Sequence, residues 1–313
     1  MIVVRDLEEI RETLQGSCLT IGNFDGVHKG HQKLLARTRT RAEANGHESV
    51  AVTFDPHPLR VLAGGTTPPF ITLTEQKIEL IGKQGLDLCV VLNFTREMGA
   101  QDPAEFVRRY LIDGLNMKYM VIGYDYAFGK GRKGNFDLLS ALGKENDFMV
   151  ERVNPYMYGD AVVSSTRIRD LVRAGRVWDV YPMLGRFYTI EGIIEHGQDR
   201  GGKLLGFPTA NLRLIDELFP ATGVYACWAT HNLVTMPAVA NIGYNPTFGN
   251  DTLSVEVHML DFNKAIYGEK LRVQFVQRLR SERKFSGLEE LVAQITRDCD
   301  LGRTILASSQ AQP

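Results

Sequence analysis

The stretch Thr20-Ile-Gly-Asn-Phe-Asp-Gly-Val-His-Lys-Gly-His31 decides the fold. An apolar strand runs into a turn carrying Gly22, Gly26 and Gly30, and the turn delivers His28 and His31 to the start of the next helix. At i and i+3 both imidazoles lie on one helix face and can reach one polyphosphate. The glycines let backbone approach a ligand closely, and the free N–H groups and positive dipole end of a helix N-terminus favour bound anions. Taken alone, two histidines in a glycine-rich turn are more often a surface or capping feature. The context weighs against that reading. Residues 17–24 read as a buried strand, and Gln32-Lys-Leu-Leu-Ala-Arg-Thr-Arg-Thr-Arg-Ala-Glu-Ala-Asn45 reads as an amphipathic helix closed by Asn45-Gly46. Strand, glycine turn and phosphate-facing helix together suit an ATP-using transferase.

Outward from this stretch, strands are expected at Ser17 to Phe24, Ser49 to Phe54, Leu86 to Phe94, Tyr119 to Tyr124 and Phe148 to Val153. Helices are expected between them at Thr74 to Lys83, Pro103 to Leu115 and Phe136 to Lys144, and after them at Thr166 to Ala174. This alternation predicts a doubly wound parallel sheet over residues 1–184. In such sheets ligands sit beyond the carboxyl ends of the strands, where the histidine turn, the Thr53 to Pro58 loop and the Gly123 loop would converge. After about residue 185 the rhythm changes to short alternating strands separated by turns, which predicts an antiparallel barrel closed by a helix at Leu288 to Asp298. Residues 185–306 are then a second domain, and residues 307–313 a flexible tail.

A chain of 313 residues is long enough for two cores. Its 36 basic and 37 acidic side chains nearly cancel, and the basic runs Arg37 to Arg41 and Arg278 to Lys284 are short and interleaved, as on solvated helix faces. Neither nucleic acid nor membrane is expected as a partner. Cys18, Cys89, Cys227 and Cys299 are scattered without metal or disulfide spacing. With no basic segment followed by an apolar core in MIVVRDLEEIRETL, a soluble cytoplasmic protein is expected.

Further motifs carry chemistry. In Thr53-Phe-Asp-Pro-His-Pro58 two prolines restrict the backbone around His57, which suits a positioned ligand group or merely a strand end. The loop Gly123-Tyr-Asp-Tyr-Ala-Phe-Gly-Lys-Gly-Arg-Lys-Gly134 offers aromatic faces for a planar ring and bases for phosphates. Ser164-Ser-Thr-Arg-Ile-Arg169 opens a helix with hydroxyls and two arginines suited to a triphosphate. The H-x-G-H form at His28 to His31 and the S-S-T-x-I-R form at Ser164 to Arg169 resemble the two signatures of the nucleotidyltransferase superfamily. Within it, Gly22 to His31 and Thr53 to Pro58 resemble the adenylyltransferase module of bacterial bifunctional FAD synthetases. Gly206-Phe-Pro-Thr-Ala-Asn211, preceded by Arg200-Gly-Gly-Lys-Leu-Leu, resembles the phosphate and magnesium loop of riboflavin kinases. Two more segments, Asn241 to Gly249 and Ser254 to Asp261, are similar to others of that family. The resemblance covers nearly the whole chain with its motifs in order. Departures are Phe187, Asn135 and Lys203, where proline, aspartate and arginine are common; Lys203 keeps the charge but loses a planar fork.

The resemblance implies a Rossmann-like nucleotidyltransferase domain and a riboflavin-kinase barrel with a terminal helix, acting as a monomer or weak homo-oligomer. It implies phosphorylation of riboflavin to FMN and adenylylation of FMN to FAD, with ATP as co-substrate and Mg2+ as cofactor. By resemblance, His28, His31 and Glu256 are catalytic. ATP and its phosphates fall to Gly22, Asn23, Phe24, Asp25, Gly30, His57, Ser164, Ser165, Thr166 and Arg167 in the first domain. In the second they fall to Gly202, Lys203, Gly206, Pro208 and Thr209. Asp125, Phe128 and Asn211 border the flavin, and Thr209 and Asn211 hold the metal. Read from pattern alone, Glu256 is an outward-facing strand residue, because Ser254, Glu256 and His258 alternate with Val255, Val257 and Met259. A kinase with a degenerate first domain and a flavin carrier without turnover are the competing readings. The intact His28, His31 and Ser164 to Arg169 speak against the first, and the filled Thr209, Asn211 and Glu256 positions against the second.

Overall fold

A computed structural model describes residues 1–10, 13–63, 68–195, 207–213, 218–247 and 250–313, with backbone alone at 245–247 and 250–252. The chain forms two compact units, residues 1–69 with 73–164, and residues 70–72 with 165–313.

The first unit is built from β1 (Ile2–Val4), β2 (Ser17–Ile21), α1 (Lys29–Asn45), β3 (Glu48–Phe54), α2 (Pro58–Leu62), α3 (Thr74–Gly82), β4 (Leu88–Leu92), α4 (Arg96–Ala100), α5 (Pro103–Phe106), β5 (Met117–Gly123), α6 (Phe136–Asn146), β6 (Met149–Val153), β7 (Met157–Tyr158) and β8 (Ala161–Val162). Its six-stranded sheet has the order β1-β4-β3-β2-β5-β6, and every neighbouring pair is parallel. The chain builds outward from β2 through β3 to β4, then crosses to β5 on the other side of β2. Connections therefore leave β2 and β5 in opposite directions, which opens a crevice at their carboxyl ends. β2 and β4 are buried along their whole length, as strands covered on both faces must be. Leu19, Ile21, Val50, Val52 and Val90 join one core, whereas Ala51, Cys89 and Val91 face Leu35, Ile78 and Ile81 in another. β1 went unpredicted because three residues carry too little pattern.

Local chemistry sets the helix ends. Asn135 caps α6 by accepting the Leu138 N–H at 3.0 Å, so amide serves where carboxylate is common. Asp102 caps α5, which starts on Pro103 and runs on into a π-helical stretch at Val107–Ile112.

The second unit contains α7 (Ser165–Arg173), α8 (Val177–Leu184), β9 (Tyr188–Glu195), β10 (Ala210–Arg213), β11 (Gly223–His231), β12 (Val234–Thr247), β13 (Asn250–Met259), β14 (Lys270–Arg280) and α9 (Leu288–Leu306). Its six strands close in the order β10-β13-β12-β11-β14-β9. Their inward residues, among them Tyr188, Tyr225, Val255, Val257 and Phe275, are buried and fill the interior. The sequence reading drew the boundary at 184/185. By packing the units divide after Ser164, because α8 buries Val177, Val180, Met183 and Leu184 and packs on β9 and β14. All four cysteines are buried thiols. No described helix is long and apolar enough to cross a membrane.

Two expectations at the C-terminus need correction. α9 extends beyond Asp298 to Leu306, because Gly302 and Leu306 are buried on its barrel-facing side; a Cβ on Gly302 would come within 2.9 Å of Val239. The expected flexible tail packs instead. Ala311 is buried with Phe187, Ala226, Val276 and Leu306, its carbonyl accepts the Trp228 indole N–H, and Gln312 donates to the Leu306 carbonyl. A small alanine among polar residues gives no sequence signal for such docking. Deleting residues 307–313 leaves the Trp228 donor unpaired and is expected to cost the second unit about 1–3 kcal/mol. The check is thermal unfolding, in which the second unit's transition should move down while that of the first stays.

Candidate functional site

β2 ends in a turn whose backbone is strained. Phe24, Gly26 and Val27 all have positive φ, at 47°, 82° and 37°. Glycine accepts this freely, whereas a β-branched valine there costs about 1–3 kcal/mol. The turn persists because the Phe24 and Val27 side chains are 2% and 1% exposed in the core beside Leu35 and Ile81. Burial of each contributes roughly 1.5–3 kcal/mol. The Gln32 amide, donating to the Val27 carbonyl at 2.9 Å, ties the turn to α1. Phe24, expected among the ATP-contacting residues, thus puts its side chain into the core.

This pinned turn places His28 as the N-cap of α1 and His31 one turn on. Their rings stack at 3.6 Å with an 18° tilt, and Phe24 meets His31 edge-on at 5.4 Å. Gly30 is required by that stack, because a Cβ there would lie 3.0 Å from the His28 ring. The same Cβ would lie 3.7 Å from the Val163 carbonyl, so the chain entering Ser164 passes beside the histidine turn. His28 Nδ1 accepts the His31 backbone N–H at 3.3 Å, which leaves the ring hydrogen of neutral His28 on Nε2. Burial above all, with the positive charge of Lys77 adding to it, holds His31 well below the usual imidazole range, so it is neutral at pH 7. Its buried Nδ1 has no partner among the described residues.

Lys77 is the site residue that the sequence reading missed. It projects from α3 with 5% exposure and donates to the Phe54 carbonyl at 3.2 Å, at the end of β3. Burial lowers its pKa, while the charges of Asp25 and Asp55 partly offset this. Asp25 is itself 4% exposed, and Asp55 accepts the Thr74 hydroxyl at 3.1 Å. No local motif marks a lysine whose importance comes from being enclosed.

A cavity of about 380 Å³ opens at the same ends of the strands. It brings the predicted Gly22, Asn23, Asp125 and Phe128 together. Phe54 and Tyr126 from the two quoted loops, together with Phe94 and Phe106 that no motif announced, add apolar walls, with Tyr126 stacked on Phe128 at 5.4 Å. Gln101 Oε1, buried there without a partner among the described residues, offers an acceptor. The Gly123 loop folds into a hairpin closed by paired backbone bonds between Phe128 and Gly134. His28 and His31 do not line this cavity. His57 Nδ1 accepts the Leu59 N–H at 3.1 Å, so this nitrogen serves as the cap of α2. Ser165, Thr166 and Arg167 begin α7 in the second unit.

In the second unit, strand register makes the site. Glu256 on β13 pairs with Asn211 on β10 and with Asn241 on β12, so the three stand in one row. Val255 and Val257 point into the barrel and are buried, which turns this row outward. Glu256 thus faces outward, as the strand pattern predicts, and the outer face here is the floor of a cavity of about 460 Å³ beneath α9. Thr209, Asn241, Glu256 and His258 line it, with Leu291 and Ile295 from α9. Arg280 closes one side, held to buried Asp298 at 2.8 Å. The Pro208 carbonyl bonds to His258 Nδ1 at 2.8 Å. Gly202, Lys203 and Gly206 lie outside the described residues.

A parallel sheet with a histidine turn at its switch point, followed by a closed barrel with a carboxylate and an amide on its covered face, suits a two-module enzyme of phosphoryl and nucleotidyl transfer. A family model for FAD synthetase matches residues 10–167, and one for riboflavin kinase matches residues 184–306. The bifunctional riboflavin kinase/FMN adenylyltransferase of Pseudomonas fluorescens is 38% identical over 310 residues, 99% of each chain. That of Bacillus subtilis is 38% identical over 92% of each, and that of Escherichia coli K12 is 33% identical over 95% of this chain and 96% of its own. A Streptococcus pneumoniae protein described as a macrolide-efflux protein has a structure matching with a TM-score of 0.83 at 30% identity, covering 96% of this chain and 98% of that one. The chain belongs to the bifunctional riboflavin kinase/FMN adenylyltransferase family.

The neutral His31 makes the first unit acid-sensitive. Its folded pKa lies below the unfolded value of about 6.5, so the unfolded chain binds the extra proton and stability falls as pH drops from there. The unfolding midpoint of the first unit should decline below about pH 6.5, and His31→Gln should flatten that decline. NMR titration of His31 should show its pKa rise in Lys77→Met, where a neighbouring positive charge is gone.

Proposed function

We propose that this chain phosphorylates riboflavin with ATP to give FMN and ADP in its barrel unit, and in its sheet unit adenylylates FMN with a second ATP to give FAD and pyrophosphate. One observation carries the reading: each unit keeps its own reactive side chains, the stacked His28/His31 pair and the Glu256 row, in a chain matched by both family models.

In the kinase unit, the riboflavin 5′-hydroxyl attacks the γ-phosphorus. The bond from that phosphorus to the β-bridging oxygen breaks, ADP leaves, and Glu256 takes the hydroxyl proton. Asn211 flanks Glu256 from the neighbouring strand, and Thr209 holds the phosphates at the cavity's edge. The donor set fits a magnesium ion: Thr209 Oγ1 and Asn211 Oδ1 are hard, neutral oxygens, suited to a small cation whose remaining ligands are phosphate oxygens and water. Bound there with ATP, Mg2+ would neutralise phosphate charge. Gly202, Lys203 and Gly206 complete the phosphate loop by family resemblance.

In the sheet unit, an FMN phosphate oxygen attacks the α-phosphorus and pyrophosphate departs, with no covalent enzyme intermediate required. His28 Nε2–H and the uncharged His31 stabilise charge on the phosphorus in the transition state. An imidazole kept neutral by burial donates without itself carrying a charge in need of solvation. The cavity's aromatic walls suit the flavin ring, with Asp125 and Phe128 at its border. Gly22, Asn23, Asp25 and Gly30 shape the turn around the nucleotide. His57 stands at its phosphate side, and the hydroxyls and guanidinium of Ser164, Ser165, Thr166 and Arg167 serve the triphosphate. Dependence on ATP and four unpaired cysteines support a cytoplasmic location.

The test is chromatography of products from purified protein with riboflavin, ATP and magnesium, then with FMN as sole flavin. Glu256→Gln is expected to lower FMN formation about 10²–10⁴-fold and leave FMN-to-FAD conversion intact. His28→Ala should do the reverse. Loss of both activities in either variant, or FMN that never becomes FAD in the unaltered protein, would contradict the assignment.

A further inference from the structure

His258 lies two residues beyond Glu256 on β13, on the same outward face of the barrel. Its Nδ1 is 2.8 Å from the carbonyl oxygen of Pro208. A carbonyl can only accept, so Nδ1 carries the hydrogen in this contact. The ring also meets Phe207 edge-to-face, with centroids 5.5 Å apart. Two contacts of different kinds therefore hold one short segment, Phe207-Pro208-Thr209, against β13 immediately before β10 begins at Ala210. Pairing of β10 with β13 starts at Ala210 opposite Val257. Phe207 to Thr209 thus lie beyond the described ladder, and Pro208 has no amide hydrogen with which to extend it. Phe207, Thr209, Glu256 and His258 line the same cavity.

We propose that His258 is a positioning residue of the kinase site, acting through the Pro208 carbonyl and the Phe207 ring to set Thr209 in register with Glu256. This rests on the kinase reading above. Thr209 is a phosphate-side and metal-side group at the end of the loop, and Glu256 takes the proton from the attacking hydroxyl. The distance between these two functions is fixed on one side by the β13 strand and on the other by whatever fixes residue 209. His258 bridges them from the strand that bears Glu256, so a shift of Glu256 carries Thr209 with it.

Side-chain isosteres provide the test. In asparagine the amide nitrogen occupies the place of Nδ1, whereas in glutamine it reaches the place of Nε2. We expect H258N to keep kcat/KM for ATP in riboflavin phosphorylation within about threefold of the unaltered protein, and H258Q and H258L to lose at least about tenfold, the worth of one hydrogen bond. The loss should appear mainly in KM for ATP, with KM for riboflavin little changed. FMN-to-FAD conversion on the same chain reports that the preparation is sound. If H258L does not fold, the comparison of H258N with H258Q decides alone. Equal activity of those two, or an H258L or H258Q protein within threefold of the unaltered one, overturns the inference. A chain that never phosphorylates riboflavin would instead refute the kinase reading. In that event ¹⁵N NMR of the His258 ring still decides the contact, since neutral His258 with its hydrogen on Nε2 would exclude it.

Discussion

The histidine turn of the sheet unit depends on two apolar side chains packed into the core. Phe24 and Val27 are buried in the core, and their burial offsets the positive φ angles of the turn between β2 and α1. Without that anchorage the turn would relax to an ordinary loop, and His28 and His31 would lose their stack at the helix start. The edge of Phe24 against His31 joins this anchorage to the histidine pair. The same enclosure keeps His31 neutral, so one packing event sets both the position and the protonation state of an imidazole. Lys77 belongs to this arrangement: a buried cation under the strand ends faces the two loop carboxylates Asp25 and Asp55, and its charge helps hold His31 unprotonated.

The barrel unit solves a different problem. Its interior is filled by Tyr188, Tyr225, Phe275 and the inward valines, leaving no room inside for a flavin. A ligand must bind on the outside, where a strand face would ordinarily be open to water. α9 covers that face with Leu291 and Ile295, so the outward-facing Glu256 and Asn241 sit on the floor of a cavity, with Asn211 beside Glu256 on the neighbouring strand. The docked C-terminus supports this cover, because Ala311 and Gln312 secure the end of α9 through Trp228 and the Leu306 carbonyl. Residues of no chemical interest thus decide whether Glu256 sits in a shielded cavity or in bulk water.

Much of this was legible in the sequence for a physical reason. The parallel sheet was readable because β2 and β4 are covered on both faces and must be continuously apolar. The barrel was readable because Val255, Val257 and Met259 alternate with Ser254, Glu256 and His258. The histidine turn announced itself because tight backbone and stacked rings demand glycine at position 30 and histidine at 28 and 31. Weak signals were lost where burial is not periodic: β1 has three residues, Ala311 is one small side chain in a polar tail, and α8 carries a proline within it.

The sequence by itself determined the two fold classes and the order of the motifs, since these follow from local periodicity and short-range spacing. Only the tertiary structure decided that the outward face bearing Glu256 is the floor of a cavity, that Phe24 serves the core, that the units divide after Ser164, that Lys77 is buried beside Asp25 and Asp55, and that His258 holds the Pro208 carbonyl. These depend on which distant segments come to enclose a residue, and enclosure by distant segments leaves no mark in the residue's own neighbourhood along the chain.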